Sequence, residues 1–527
     1  MELKRREIIR LVIGAAIFLF IALDALVFYT RIDFTTNKMY SFSPATKQLL
    51  AEIPEHVRLT FYVSSRLQKI SPVPAEIRDI LTEYANVSHG KVDLRVVSAD
   101  SSGVVQELQS LGIAPQQMNI VNASERTTAA VYSAIDIEYL NRHVELPFVV
   151  STQDLEYSLT SKITQVVAGG TWAVGVLVGD SNRSLAADYT LVQDGVGRYY
   201  QVLPIQPGAA ISPSLAALIV LGGQSLTMAD LQPIDRFLMQ GGRILFCVPG
   251  VSIDTAGNLS ATALGDLPIF KLISSYGVQI GHSLVLDSMN KDFRTLEQNG
   301  GQYVWRDFGP YPHWISVEPQ NVTGKSPITR NFLGLDLLWP SPLTELPRPG
   351  EQFVPLVKSS SNSWLMRGQF DTSPSNIAAF SSPPEDVPVA QYTLGYAVSG
   401  AFPSFFDSSG TSSAHKLVSP DTRIVVFGDE DFVSNLVHYS NSAYNVQFLE
   451  NVVDWLAGND GLLAIKTKAQ WDPRLDKIGD PAAKQRVYGF AQLVSVGLVP
   501  AIVLLVGLRR LRKRTRRAGA LGGDHER

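Results

Sequence analysis

Apolar positions follow three rhythms along the chain. Leu11 to Phe28, "LVIGAAIFLFIALDALVF", and Phe490 to Leu508, "FAQLVSVGLVPAIVLLVGL", are almost unbroken apolar runs. Each is about long enough to cross a hydrocarbon layer of roughly 30 Å at 1.5 Å per residue, so both predict transmembrane helices. A cleaved signal peptide competes for the first, with Lys4, Arg5 and Arg6 as its n-region, but no small-x-small cleavage site follows. Between the runs, helical period 3.6 alternates with strand-like stretches. "VRLTFYV" and "VDLRVV" predict strands; "PAEIRDILTEYAN" sets Ile77, Ile80, Leu81 and Tyr84 on one helical face; "VVQELQSLG" predicts a helix ending at Gly112. "AAVYSAIDIEYL" and "VELPFVV" then predict a hairpin across Asn141-Arg142-His143.

This β-α-β-α-β-β order over residues 55–150 resembles a thioredoxin-like sandwich. It has no C-x-x-C pair, which excludes dithiol redox catalysis. A helix over "TQDLEYSLTSKITQVV", capped by Ser151 or Thr152, leads into a second region, 151–460, with a different rhythm. Here "WAVGVLV", "LAALIVL", "RILFCV" and "TRIVVFG" are continuously apolar, as parallel strands covered on both faces are. A helix around Pro233 to Gln240 ends at Gly241-Gly242, and "AYNVQFLENVVDWLAG" directs Val446, Leu449, Val453 and Leu456 to one side. Residues 261–420, with "RDFGPYPHW", "SSSNSW" and "SSPPEDVP", predict an insertion of irregular excursions. A linker, 461–489, precedes the second apolar run.

Charge orients this plan. Lys4, Arg5, Arg6 and Arg10 precede the first run, and a basic tail, 509–527, begins with Arg509 and Arg510 after the second. The positive-inside rule puts 1–29 (start and first span) and the tail on the cytoplasmic side, and leaves a central part of formal charge about −12 outside. The expected location is therefore the cell (inner) membrane, with the main domains extracytoplasmic. Such an acidic surface does not suit nucleic acid, and the basic tail against a span suits anionic lipid headgroups.

Motifs for chemistry are sparse. Cys247 is the single cysteine and sits inside a predicted strand, where it is a small buried hydrophobe. "TGKS" at Thr323–Ser326 is no P-loop, since Pro319 stands where the first glycine is needed. There is no Gly-x-Ser-x-Gly elbow and no H-E-x-x-H, and the histidines lack metal-ligand spacing. No cofactor or metal is expected. Several predicted parallel strands do end in small or acidic residues: Asp180; Gly222, Gly223, Gln224 and Ser225; Gly428, Asp429 and Asp431. Ligands of open α/β sheets gather at that edge, although βα turns favour the same residues without one.

The strap at 30–54, "TRIDFTTNKMYSFSPATKQLL", carries the pattern R-x-D-x-T-x-x-K-x-Y-S-x-S-x-x-T, with Ser43 and Pro44 predicting a capped helix. With "LGGQSLTMADLQPIDRFLMQGGRILF", "IVVFGDEDFVSN" and "NVQFLENVVDWL", it resembles the GldG-type auxiliary components of ABC transport systems, a family associated with gliding motility. Asp454 departs from that family's Asn-Trp-Leu ending. The resemblance implies a second domain similar to a flavodoxin-like, class-I glutamine-amidotransferase-like fold. The nucleophilic cysteine turn of that lineage reads Gly222-Gly223-Gln224-Ser225 here. It further implies a non-enzymatic subunit beside an ABC permease and a separate cytoplasmic ATPase, meeting a substrate, envelope polymer or protein ligand. Arg31, Asp33, Lys38, Tyr40, Ser43 and Pro44 would serve membrane contact and coupling. The alternatives are an envelope hydrolase using Asp180, Asp429 or Asp431 as general acid and base, and a surface scaffold or adhesin.

Overall fold

The computed structural model describes residues 41–466, without 122–125, 153, 171, 256, 300–301, 331, 407–416 and 440–441, together with 485–486, 489–490, 507 and 509. The chain divides into units 1–470 and 471–527, and the elements named here lie in the first. Helix α1 (Pro44–Glu52) starts where its residues dictate. Pro44 has no hydrogen bond to lose in the first turn, and Thr46 N–H donates to Ser43 Oγ at 3.1 Å, satisfying one of the amides every helix start leaves open.

The first domain is built on β1 (Val57–Val63), β2 (Val92–Ser98), β3 (Ser133–Tyr139) and β4 (Arg142–Leu146), in the order β2-β1-β3-β4. β1 is parallel to β2, reached through helix α2 (Val73–Val87), and antiparallel to β3. Leu59, Phe61, Ile135 and Ile137 pack with Ile77, Leu81 and Tyr84 of α2 in one core. Helix α3 (Ser102–Ser110) covers Tyr62 with Leu108. β3 and β4 turn through Leu140 and Asn141, both at positive φ (46° and 64°), with Tyr139 opposite Arg142. The turn lies one residue earlier than the sequence suggests, because a two-residue turn with positive φ matches the twist of paired strands.

Helix α4 (Leu155–Ala168) joins the domains. Its N-cap position is Asp154 rather than Ser151 or Thr152, and it ends at Gly169, whose φ of 90° suits a helix C-terminus. Leu155, Leu159 and Ile163 of α4 enter the first core, while Tyr157 faces the second domain.

The second domain carries nine strands in one sheet. They are drawn from β5 (Ala173–Val178), β6 (Gln201–Ile205), β7 (Ala217–Leu221), β8 (Ile244–Cys247), β9 (Val278–Ile280), β10 (Asn290–Asn299), β11 (Gln302–Val317), β12 (Leu335–Leu338), β13 (Leu343–Glu345), β14 (Gln352–Lys358), β15 (Thr393–Gly400) and β16 (Thr422–Phe427). Five are parallel, in the order β6-β5-β7-β8-β16. Numbered along the chain this is 2-1-3-4-5, a doubly wound order. β15 runs antiparallel to β16 and pairs with both β14 and β13, and β13 carries β9. Alternate side chains enter two cores. Leu218, Val220, Phe246 and Val426 lie under helices α5 (Met228–Met239) and α6 (Pro268–Ser275), whereas Val176, Ile219, Leu245 and Val425 lie under α7 (Ala443–Leu456). Burial on both faces is why these strands read as continuous apolar runs. The chain then enters α8 (Asp460–Lys466).

Two expectations are corrected. Residues 261–420 are not irregular excursions: they supply four strands of the nine-stranded sheet and a second layer, β10-β11-β12. Pro310 and Pro312 sit inside β11 next to a register shift opposite Asp292/Arg294, and β12 pairs only with Trp314–Val317. Prolines fit where a strand has a free edge or a bulge, and the strands this segment adds to the nine-stranded sheet find their partners far along the chain. The fold class, expected to include two transmembrane helices, stands instead as mixed α/β. Among the described residues no helix is long and apolar enough to cross a membrane. The longest, α2, has 15 residues, about 22 Å at 1.5 Å per residue, and an exposed polar face. Leu11–Phe28 and Phe490–Leu508 lie outside the described residues except Phe490 and Gly507.

Candidate functional site

Strand order reverses between β5 and β7, and the loops after them close against each other. Gly179 N–H donates to Leu221 O at 2.7 Å and Ser225 N–H to Gly179 O at 2.9 Å. Gly222 takes φ 68°, and a Cβ there would stand 2.7 Å from Glu430 Oε2, so the turn needs glycine twice over. Gln224 Nε2 bridges two acids, donating to Asp180 Oδ2 at 3.1 Å and Glu430 Oε1 at 3.2 Å. Arg183 Nη1 donates to Asp431 Oδ1 at 2.6 Å and to Tyr189 OH at 3.2 Å; Tyr189 OH in turn donates to Glu430 Oε2 at 2.7 Å. Asp429 accepts the backbone amides of Leu338 (2.9 Å) and Asp431 (2.6 Å).

The structure thus gathers the predicted Asp180, Gly222, Gly223, Gln224, Ser225, Gly428, Asp429 and Asp431 at one sheet edge and turns their polar groups on each other. Arg183 and Tyr189 were not legible in the sequence. Glu430 stands inside the acidic loop already singled out, but nothing local to Arg183 or Tyr189 shows that they cross to it. Burial pushes the Glu430 carboxyl up to about 7, against the lowering effect of Arg183, and Asp431 adds to the rise. Burial likewise raises Asp429, with the neighbouring Asp431 charge contributing. For Arg183 burial works against the charge, but Asp431 and Glu430 outweigh it and hold the guanidinium protonated. Among the described residues no group of three or more His, Cys, Asp or Glu could hold a metal ion.

A second polar cluster lies where the domains join. Asp454 on α7 accepts from Tyr157 OH on α4 and from Tyr200 OH, both at 2.7 Å. Lys466 Nζ on α8 lies 3.0 Å from Asp454 Oδ2, 3.2 Å from Glu450 Oε2 and 4.2 Å from the Tyr157 ring centre. Burial opposes the lysine charge, and the Asp454 and Glu450 carboxylates restore it. The Asp454 that departs from the resembled pattern is therefore the group to which a buried cation is bound. α1 completes the joint: Glu156 Oε1 accepts from Ser43 N–H and Thr46 Oγ1, each at 2.7 Å. Ala45 and Leu49 pack with Tyr157, Leu462 and Ile465, so α1 and α8, the first and last helices named here, lie together on α4. Arg31, Asp33, Lys38 and Tyr40 lie outside the described residues. Beside this joint opens a cleft of about 450 Å³, whose walls include Asp154, Arg198, Tyr199, His438, Glu450 and Lys466.

Fold and site together define a two-domain mixed α/β protein with a closed sheet edge and a charged helical joint. The chain belongs to the family described as ABC-type uncharacterized transport system, which matches residues 172–457. A domain of unknown function matches residues 36–138. The chain is 24% identical over 526 residues to an uncharacterized protein of Borreliella burgdorferi, a similarity that covers 98% of this chain and 99% of that one. Membership gives the protein an accessory role associated with the components of a transport system.

Proposed function

We propose that the protein is a non-enzymatic subunit that binds a permease and a separate ATPase of an ABC-type system and couples their motion to its two domains. The extracytoplasmic position and the GldG-type relationship expected from the sequence belong to the same reading. The observation that carries it is the joint. α1 and α8 both pack on α4, and α4 places side chains in the cores on either side. Force applied at either end of 44–466 reaches both domains through Glu156 and through the Asp454–Lys466 cluster. The sheet edge supports the non-catalytic part of the reading. Asp180, Asp429 and Asp431 each accept protein hydrogen bonds, which leaves a hydrolase little carboxylate free to act as acid or base. Purification of the tagged full chain from its native membranes in mild detergent tests it. Stoichiometric recovery of a permease and an ATPase is expected, and recovery of the protein alone would refute it.

A further inference from the structure

The cleft beside the joint is lined by charges of which only Glu450 and Lys466 pair with each other. Arg198 and Asp154 both line it and both are exposed, yet neither side chain makes a hydrogen bond or ion pair with another described residue. Burial raises the Asp154 carboxyl, and the Lys466 and Arg198 charges, both near enough to be felt, work against that rise. At the base, Glu450 is 8% exposed and commits only Oε2, to Lys466. Its Oε1 takes no hydrogen bond from a described residue and is not sealed from solvent, so it faces the cleft free to accept one. The Lys466 ammonium is engaged by Glu450, Asp454 and the Tyr157 ring, so it belongs to the wall. What the cleft offers a ligand is therefore two carboxylates, a guanidinium and the flank of Tyr199. Its volume of about 450 Å³ falls within the roughly 300–1,000 Å³ of small-molecule clefts.

We propose that this cleft binds a zwitterion, a free amino acid or short peptide, whose ammonium meets Asp154 and Glu450 Oε1 and whose carboxylate meets Arg198. A simple cation would face the Arg198 charge and a simple anion would face two carboxylates; only a ligand carrying both ends meets all three of these charged groups. The proposal stands on the cleft and does not need the transporter reading to hold.

Calorimetric titration of the full chain with L-alanine, dialanine, ethylamine and propionate tests it. Saturable binding of L-alanine or dialanine is expected, the tighter of the two fixing the ligand length, with ethylamine and propionate far weaker. Asp154→Asn and Arg198→Gln should each weaken that binding about tenfold, the equivalent of one charge-assisted contact of about 1.4 kcal/mol. Since neither side chain bonds to another described residue, both variants should melt like the parent, which separates lost binding from lost folding. Absence of saturable binding for both zwitterions, equal binding of ethylamine or propionate, or unchanged affinity in both variants would overturn the proposal.

Discussion

Glu430 shows what one buried acid does to this fold. Its carboxyl is raised to about 7 from an ordinary value near 4.5, chiefly by burial. A raised acid binds its proton more tightly in the folded state, so its ionisation costs nothing below the unfolded value and progressively more as pH climbs toward 7. Between about pH 5 and pH 8 the protein should therefore lose stability to urea through this group, with Asp429 adding a slope of the same sign. Glu430→Gln should flatten that slope while keeping one of the two oxygens that accept from Tyr189 and Gln224; an unchanged urea-midpoint profile would refute the role of Glu430. Asp454 makes a sharper case. Asp454→Ala leaves Tyr157, Tyr200 and the Lys466 ammonium without their shared acceptor, a loss expected at about 3–5 kcal/mol. Tyr157→Phe removes one neutral donor from the same atom and should cost only about 1 kcal/mol in the same denaturant titration.

Among the elements, α1 is the most informative because its start is both local and long-range. Ser43 Oγ caps it, while Ser43 N–H and Thr46 Oγ1 reach Glu156, more than 100 positions away. Ser43→Ala should cost about 1 kcal/mol as a lost cap, read as a lowered thermal midpoint. The pairing of α1 with α8 is testable by cross-linking. A Cβ built at Gly461 would lie 3.8 Å from that of Ala45, within the spacing disulfides adopt. Oxidation of the double variant Ala45→Cys/Gly461→Cys should give a bridge visible as a mobility shift on non-reducing gels. Cys247, buried in β8, should stay out of it. If the proposed coupling needs α1 and α8 to part, the oxidised form will assemble with the transporter yet fail to support transport, and dithiothreitol will restore it.

At the scale of the whole molecule, the two domains are one mechanical object because α4 is shared and α7 and α8 return to it. Cutting the chain between residues 150 and 155 should therefore give fragments that stay associated through α1 and Glu156. Size-exclusion chromatography of the cleaved protein checks this, and separation into two peaks would contradict it.

The strands "WAVGVLV", "LAALIVL", "RILFCV" and "TRIVVFG" were legible from residue pattern alone, because burial on both faces leaves an unbroken apolar run. The Ser43 cap and the glycine ends of α3 and α5 were legible for the same reason: their causes act within a turn of backbone. β6 was not, since "QVLPI" is a short edge strand whose proline is tolerated only because of where it sits. Nor were β9 and β12 to β15, whose partners come from distant sequence, or the β10–β11 hairpin, whose second strand carries Pro310 and Pro312. The acids at the sheet edge could be placed there by strand order. That they face Arg183, Tyr189 and Gln224, that Lys466 returns to Asp454, and that Asp154 and Arg198 share a cleft unpaired were decided by tertiary structure. Local sequence determines which segments can be strand, helix or turn; which charges become neighbours depends on chain crossings that no local pattern encodes.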